Sequence, residues 1–138
     1  MKILFVCAGN VGRSQMAEAF FNRKTKKHHA TSAGARCGDN DGKKLGNIGF
    51  KVIDCMKEEY INLKGKPIKQ VKPEMVEDAD KVIIIMEHRI EDIPDFLKNS
   101  EKVDYWPIPD PKDTSYEFYS EVRDQIKKNV EKLVRGLG

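Results

Sequence analysis

Long apolar runs are missing from this chain. No stretch approaches the ~20 residues that a membrane-crossing helix needs, and the run Ile3-Leu4-Phe5-Val6 is too short for the core of a secretory signal. A membrane partner is therefore not expected. Cysteine is scarce: three thiols, at 7, 37 and 55, form an odd, scattered set that builds no secreted disulfide framework, which points to a reducing, cytoplasmic compartment. The three histidines, two adjacent at 28 and 29 and one at 88, lack ligand spacing, so no metal is expected, and no motif asks for a cofactor. Charge of one sign is also lacking. Lys and Arg number 25 against 22 Asp and Glu, a net charge of +3, too even a balance for an extended nucleic-acid surface. Linkers, repeats and low-complexity tracts are absent, so the 138 residues are expected to form one domain, 1–138.

What the chain does contain is an alternation of strand-like and helix-like segments. Strands are expected near 2–7, 29–33, 81–86 and 102–106, and helices near 13–25, 41–56, 88–98 and 115–136, with a short helix after the Lys- and Pro-containing segment 63–73. Such alternation predicts an α/β fold: three αβα layers around a four-stranded, parallel, doubly wound sheet. Ligands bind such sheets at the strands' C-terminal ends. In the last helix, Phe118, Val122, Ile126, Val130, Leu133 and Leu137 recur at helical spacing and are expected in the core.

The first crossover carries the most chemistry. In Cys7-Ala8-Gly9-Asn10-Val11-Gly12-Arg13-Ser14 a thiol ends a strand, a five-residue loop follows, and a guanidinium opens a helix. Loop amides and the helix dipole converge there on negative charge, which makes Ala8, Gly9, Asn10, Val11, Gly12 and Ser14 candidate binders of a phosphate-sized oxyanion. Gly9 and Gly12 permit positive φ and close approach, and Asn10 tolerates the left-handed region. Arg13 offers a planar fork for two oxygens of a tetrahedral anion. A thiol beside a cation at a helix N-terminus is populated as thiolate at neutral pH, so Cys7 is the candidate nucleophile, with Ser14 able to donate to it.

A thiolate that attacks phosphorus needs an acid for the departing oxygen. Tyr105-Trp106-Pro107-Ile108-Pro109-Asp110-Pro111 supplies one on a proline-stiffened loop after the last expected strand. Asp110 is thus the candidate general acid, and by the same logic the base for hydrolysis of a phosphocysteine intermediate.

These residues resemble the low-molecular-weight protein tyrosine phosphatases and the arsenate reductases that share their scaffold. The resemblance covers nearly the whole chain: Cys7 to Ser14, Gln15-Met16-Ala17-Glu18, Thr31-Ser32-Ala33-Gly34, Ala79 to Met86, and a late Asp110-Pro111. It implies hydrolysis of a phosphomonoester, on a protein or a small molecule, with Cys7, Arg13 and Asp110 catalytic. It also implies that Asn10 and Ser32 support the loop through hydrogen bonds.

Two departures from the family pattern bear on substrate and redox chemistry. Phosphotyrosine phosphatases of this type carry aromatics after Ser-Ala-Gly and after Asp-Pro, where this chain has Arg36-Cys37-Gly38 and Lys112-Asp113; Trp106, Tyr116 and Tyr119 stay open as substitutes. Many members also carry a second loop cysteine where this chain has Gly12, so an oxidised Cys7 would turn to Cys37, Cys55 or an external thiol. Arsenate, tetrahedral and anionic like phosphate, gives the leading alternative. Met86 to Ile93 lacks the cysteine pair of the thioredoxin-linked reductases, which leaves a reductase served by a small-molecule thiol. A phosphocysteine carrier is the second alternative.

Overall fold

The computed structural model describes residues 1–87 and 93–138. Four strands form the sheet: β1 (Lys2–Cys7), β2 (His29–Gly34), β3 (Lys81–Ile85) and β4 (Val103–Trp106). They are all parallel, in the order β2-β1-β3-β4. Helices α1 (Arg13–Lys24), α2 (Phe50–Lys57), α3 (Pro73–Asp78), α4 (Asp95–Lys98) and α5 (Tyr116–Leu137) cover it. Of the helix expected over 88–98, residues 88–92 and with them His88 lie outside the described residues.

The apolar runs of β1 and β3 are nearly continuous because both faces of a parallel sheet are covered. Ile3, Phe5, Ile83 and Ile85 share one core with residues of α1, α2 and α5, whereas Leu4, Val6, Val82 and Ile84 share a second with Val76 and Leu97 of α3 and α4. The three expected layers are therefore present. On α5, Val122, Ile126 and Val130 are buried in the first core, and Phe118, Leu133 and Leu137 pack against it half-buried, as their spacing predicts. Arg123, on the same helix, locks α5 to α2 by donating through Nη1 to the Cys55 carbonyl at 2.7 Å and to Glu58 Oε2 at 3.1 Å.

The helix expected over 41–56 is corrected. Only Phe50–Lys57 is α-helical, preceded by two 3₁₀ turns, Gly38–Asn40 and Leu45–Asn47. Gly42 sits at φ 88°, and the backbone of this stretch pairs with a distant one: Gly42 N–H donates to the Ile68 carbonyl at 2.8 Å, Leu45 N–H to Lys66 at 3.0 Å, and Ile68 N–H to Lys43 at 2.8 Å. Long-range pairing has taken the amides that a helix would need. The partner stretch continues to the sheet, where Gly34 N–H donates to the Lys69 carbonyl at 2.8 Å and Val71 N–H to Gly34 at 2.9 Å. A strap made of 42–45 and 66–71 thus lies against the C-terminal ends of the strands.

Candidate active site

Helix α1 begins without a capping side chain. Its N-cap is Gly12, and no acidic residue stands in its first turn. The helix dipole and the N–H groups of the first turn favour an anion arriving from outside. Cys7, at the end of β1, already uses this environment: the Ser14 N–H donates to Cys7 Sγ at 3.5 Å, and Ser14 Oγ lies 3.0 Å from the same sulfur.

Asn10 fixes the loop between them. It alone of the loop residues adopts positive φ, at 59°; Gly9 and Gly12, which permit it, do not. Asn10 Nδ2 donates to Ser14 Oγ at 2.8 Å and Ser32 Oγ at 3.1 Å, and its Oδ1 accepts from Gln15 Nε2 at 3.1 Å and the Lys69 N–H at 2.9 Å. Both donors and both lone pairs are in use. Ser32 Oγ donates in turn to Glu18 Oε1 at 2.8 Å, and the buried Glu18 is ion-paired with Lys66. A polar chain therefore runs from Lys66 through Glu18, Ser32, Asn10 and Ser14 to Cys7. Asn10, Ser14 and Ser32 are fully buried behind the loop, so Asn10 and Ser14 stand as its frame and their side chains do not line the cavity. Gln15, Glu18, Lys66 and Lys69 had no role in the sequence reading. The available signal was two polar residues, Gln15 and Glu18, on a helix otherwise buried through Met16, Ala17, Phe20 and Phe21.

The loop after β4 reaches the same place. The buried Arg13 donates from Nη1 to the Ile108 carbonyl at 2.9 Å, and its Nη2 lies 3.6 Å from Asp110 Oδ2. Asp110 is half-exposed and its Oδ1 accepts from the Lys112 N–H at 3.0 Å, which holds the carboxylate at the turn. Cys7, Arg13 and Asp110 meet at one cavity of about 610 Å³, floored by Cys7, Ala8, Gly9, Val11 and Gly12.

Its walls add residues that the sequence left unplaced. Among the candidate rings, Trp106 packs in the core against Phe5 at 5.6 Å and Tyr116 donates to Glu58, while Tyr119 lines the cavity under the Lys51 ammonium, 5.5 Å from its ring centre. Burial, then the charges of Asp110 and Asp113, raise the Tyr119 phenol, so it stays a neutral hydroxyl. Phe50, the first residue of α2, also lines the cavity and is 64% exposed. Sequence reasoning missed it because it placed residue 50 inside a longer helix. Cys37 lines the cavity as well, its thiol pushed up to about 11 by burial and then by the neighbouring charges of Cys7 and Asp41.

A parallel sheet whose first strand delivers a thiol beneath an uncapped helix start defines an α/β protein with its candidate site at a strand-to-helix loop, the kind of place where anions bind in such folds. The chain belongs to the low molecular weight phosphotyrosine protein phosphatase family, whose model matches residues 2–138. It is 30% identical to the glutaredoxin arsenate reductase of Synechocystis sp. over 133 residues, 96% of this chain and 95% of that one. Among solved structures it resembles the low molecular weight protein tyrosine phosphatase of T. tengcongensis, with 25% identity, a TM-score of 0.83 and 99% of each chain covered. It also resembles the YwlE arginine phosphatase of Geobacillus stearothermophilus, with 25% identity, a TM-score of 0.79, and 99% of this chain and 92% of that one covered.

Proposed function

We propose that the protein is a phosphomonoester hydrolase working through a phosphocysteine. Cys7 Sγ attacks phosphorus in line while Arg13 and the loop amides stabilise the equatorial oxygens. Asp110 gives its proton to the leaving oxygen, then, ionised, draws one from the water that hydrolyses the S–P bond. Phosphate is released.

The observation that carries this reading over arsenate reduction is the apolar wall of Val11, Ile48 and Phe50 in a cavity of about 610 Å³. That size belongs to pockets for organic ligands, roughly 300–1,000 Å³. A bare oxyanion has no use for a phenyl ring beside its loop, whereas an ester with an aromatic or aliphatic leaving group buries it. Phe50→Ala is expected to raise KM for phenyl phosphate about 5- to 30-fold, on the ~1–2 kcal/mol of a lost ring contact, with the inhibition constant of inorganic phosphate little changed. An equal effect on phosphate would remove Phe50 from the leaving-group wall.

The deciding experiment assays aryl phosphate hydrolysis, phosphoarginine hydrolysis and thiol-dependent arsenate reduction side by side on one preparation and its Cys7→Ser variant. Phosphate release from the aryl ester, lost in Cys7→Ser, is the expected result. Arsenite formation with no ester hydrolysis overturns the proposal in favour of the reductase, and a phosphocysteine that survives for seconds and passes to a sugar overturns it in favour of the carrier. Asp110→Asn tests the acid: hydrolysis of alkyl phosphates should fall about 10²–10⁴-fold, and that of an ester with an acidic phenol much less. Equal losses on both esters would take the acid role from Asp110.

A further inference from the structure

We propose that Cys37 is the resolving thiol of Cys7: once a hydroperoxide has oxidised the Cys7 sulfur, Cys37 closes a disulfide on it. The inference needs a peroxide-reactive Cys7 and is independent of which ester or oxyanion the site turns over.

A missing side chain makes room beside Cys7. Cys7 and Gly34 are direct partners in the β1–β2 register. Parallel partners point to the same face of the sheet from strands about 4.8 Å apart, so a side chain on Gly34 would stand next to that of Cys7. Residue 34 has none, and Cys37 shares the space with the loop backbone: a β-carbon on Gly34 would lie 2.5 Å from Cys37 Sγ, 2.8 Å from the Gly9 carbonyl carbon and 2.9 Å from the Asn10 nitrogen. The second sulfur therefore stands next to the position, on the same sheet face as Cys7, that a neighbouring strand residue would normally fill. Disulfides require Cβ atoms about 3.5–4.5 Å apart, so closure asks for a shift of the short 35–37 turn. The thiol itself is held weakly, by an S–H donated to the Gly9 carbonyl at 3.4 Å, whereas the turn's backbone is tied to the same loop by the Ala35 N–H to the Cys7 carbonyl and the Arg36 N–H to the Ala8 carbonyl, each 2.8 Å, and by the Cys37 N–H to Gln70 Oε1 at 2.8 Å, so these bonds flex with it.

Access agrees with geometry. Cys7 and Cys37 line the same cavity, so an oxidant that enters and a water that leaves share one path. Cys55 is fully buried on α2, does not line the cavity, and donates to the Val52 carbonyl of its own helix at 3.4 Å. It is out of position. Chemistry sets the order of events. Cys37, pushed up to about 11 by burial and by the Cys7 charge, stays a protonated thiol while Cys7 is reduced, so peroxide reacts at Cys7 first. Loss of the Cys7 charge on oxidation removes one of the causes that keep Cys37 protonated.

The steps balance. Cys7 thiolate attacks hydrogen peroxide, the O–O bond breaks, hydroxide leaves, and sulfur, oxidised by two electrons, becomes a sulfenic acid. Cys37 sulfur then attacks Cys7 Sγ; the S–S bond forms, the S–O bond breaks, and the hydroxyl departs with the Cys37 proton as water. An external dithiol restores both thiols by exchange.

The test reads mass rather than turnover. Fully reduced protein is treated with a small excess of hydrogen peroxide and quenched with an alkylating agent, then mapped as peptides. The wild-type chain should lose two hydrogens and yield a Cys7–Cys37 cross-linked peptide, as should Cys55→Ser. Cys37→Ser should instead gain two or three oxygens on Cys7 that dithiothreitol does not remove. A wild-type map with sulfinic Cys7 beside alkylated Cys37, or a cross-link through Cys55, overturns the proposal. The wild-type map decides this whether or not Cys37→Ser folds.

Discussion

Cys7→Ser is expected to lower kcat by about 10⁴–10⁶-fold, the scale on which removal of a covalent nucleophile is felt. Serine fits the space of the thiol and keeps the hydrogen bond that Ser14 Oγ makes at 3.0 Å, so the loop should retain its shape. What disappears is the thiol that the proposed reaction uses, and a hydroxyl in its place is the weaker nucleophile. Rapid-quench measurement of the first turnover, paired with calorimetric titration of inorganic phosphate, separates the two effects. Phosphate should still bind while the covalent intermediate fails to form. A variant that keeps more than a hundredth of the wild-type rate would displace Cys7 from the reaction.

Arg13→Lys carries the second-largest expected effect, a loss of about 10²–10³-fold in kcat together with weaker phosphate binding. A lysine ammonium keeps the charge and loses the fork. Arg13 uses one arm on the Ile108 carbonyl at 2.9 Å and sets the other 3.6 Å from Asp110, so the guanidinium also ties the loop that carries Asp110 to the loop that follows Cys7. Lysine cannot serve both ends from one nitrogen. Activity within tenfold of wild type would mean that charge alone is what position 13 supplies.

The parts of this site visible in the sequence are those written locally. Residues 7 to 14 form a single strand-to-helix crossing, and the types of its residues announce their use. The late Asp110 could be joined to them because strand ends of a parallel sheet share one edge, a rule of topology rather than of distance along the chain. Other parts depend on contacts that spacing does not encode. Lys66 reaches Glu18, and Lys69 reaches Asn10, only because 66–71 is strapped to 42–45 and Gly34 by backbone hydrogen bonds. The same strap unmakes the expected helix over 41–49 and leaves α2 to begin at Phe50, which is why an aromatic residue stands at the cavity mouth without a motif to mark it. Cys37 belongs with these: its neighbour is chosen by strand register and by an absent side chain at Gly34.

The saturated amide of Asn10 has a consequence for how a guest is received. With both its donors and both its acceptors spoken for by Ser14, Ser32, Gln15 and Lys69, the Asn10 side chain has no spare polar atom with which to hold the loop in another shape. A loop framed in this way is preorganised, so an anion that binds it spends little on conformational ordering.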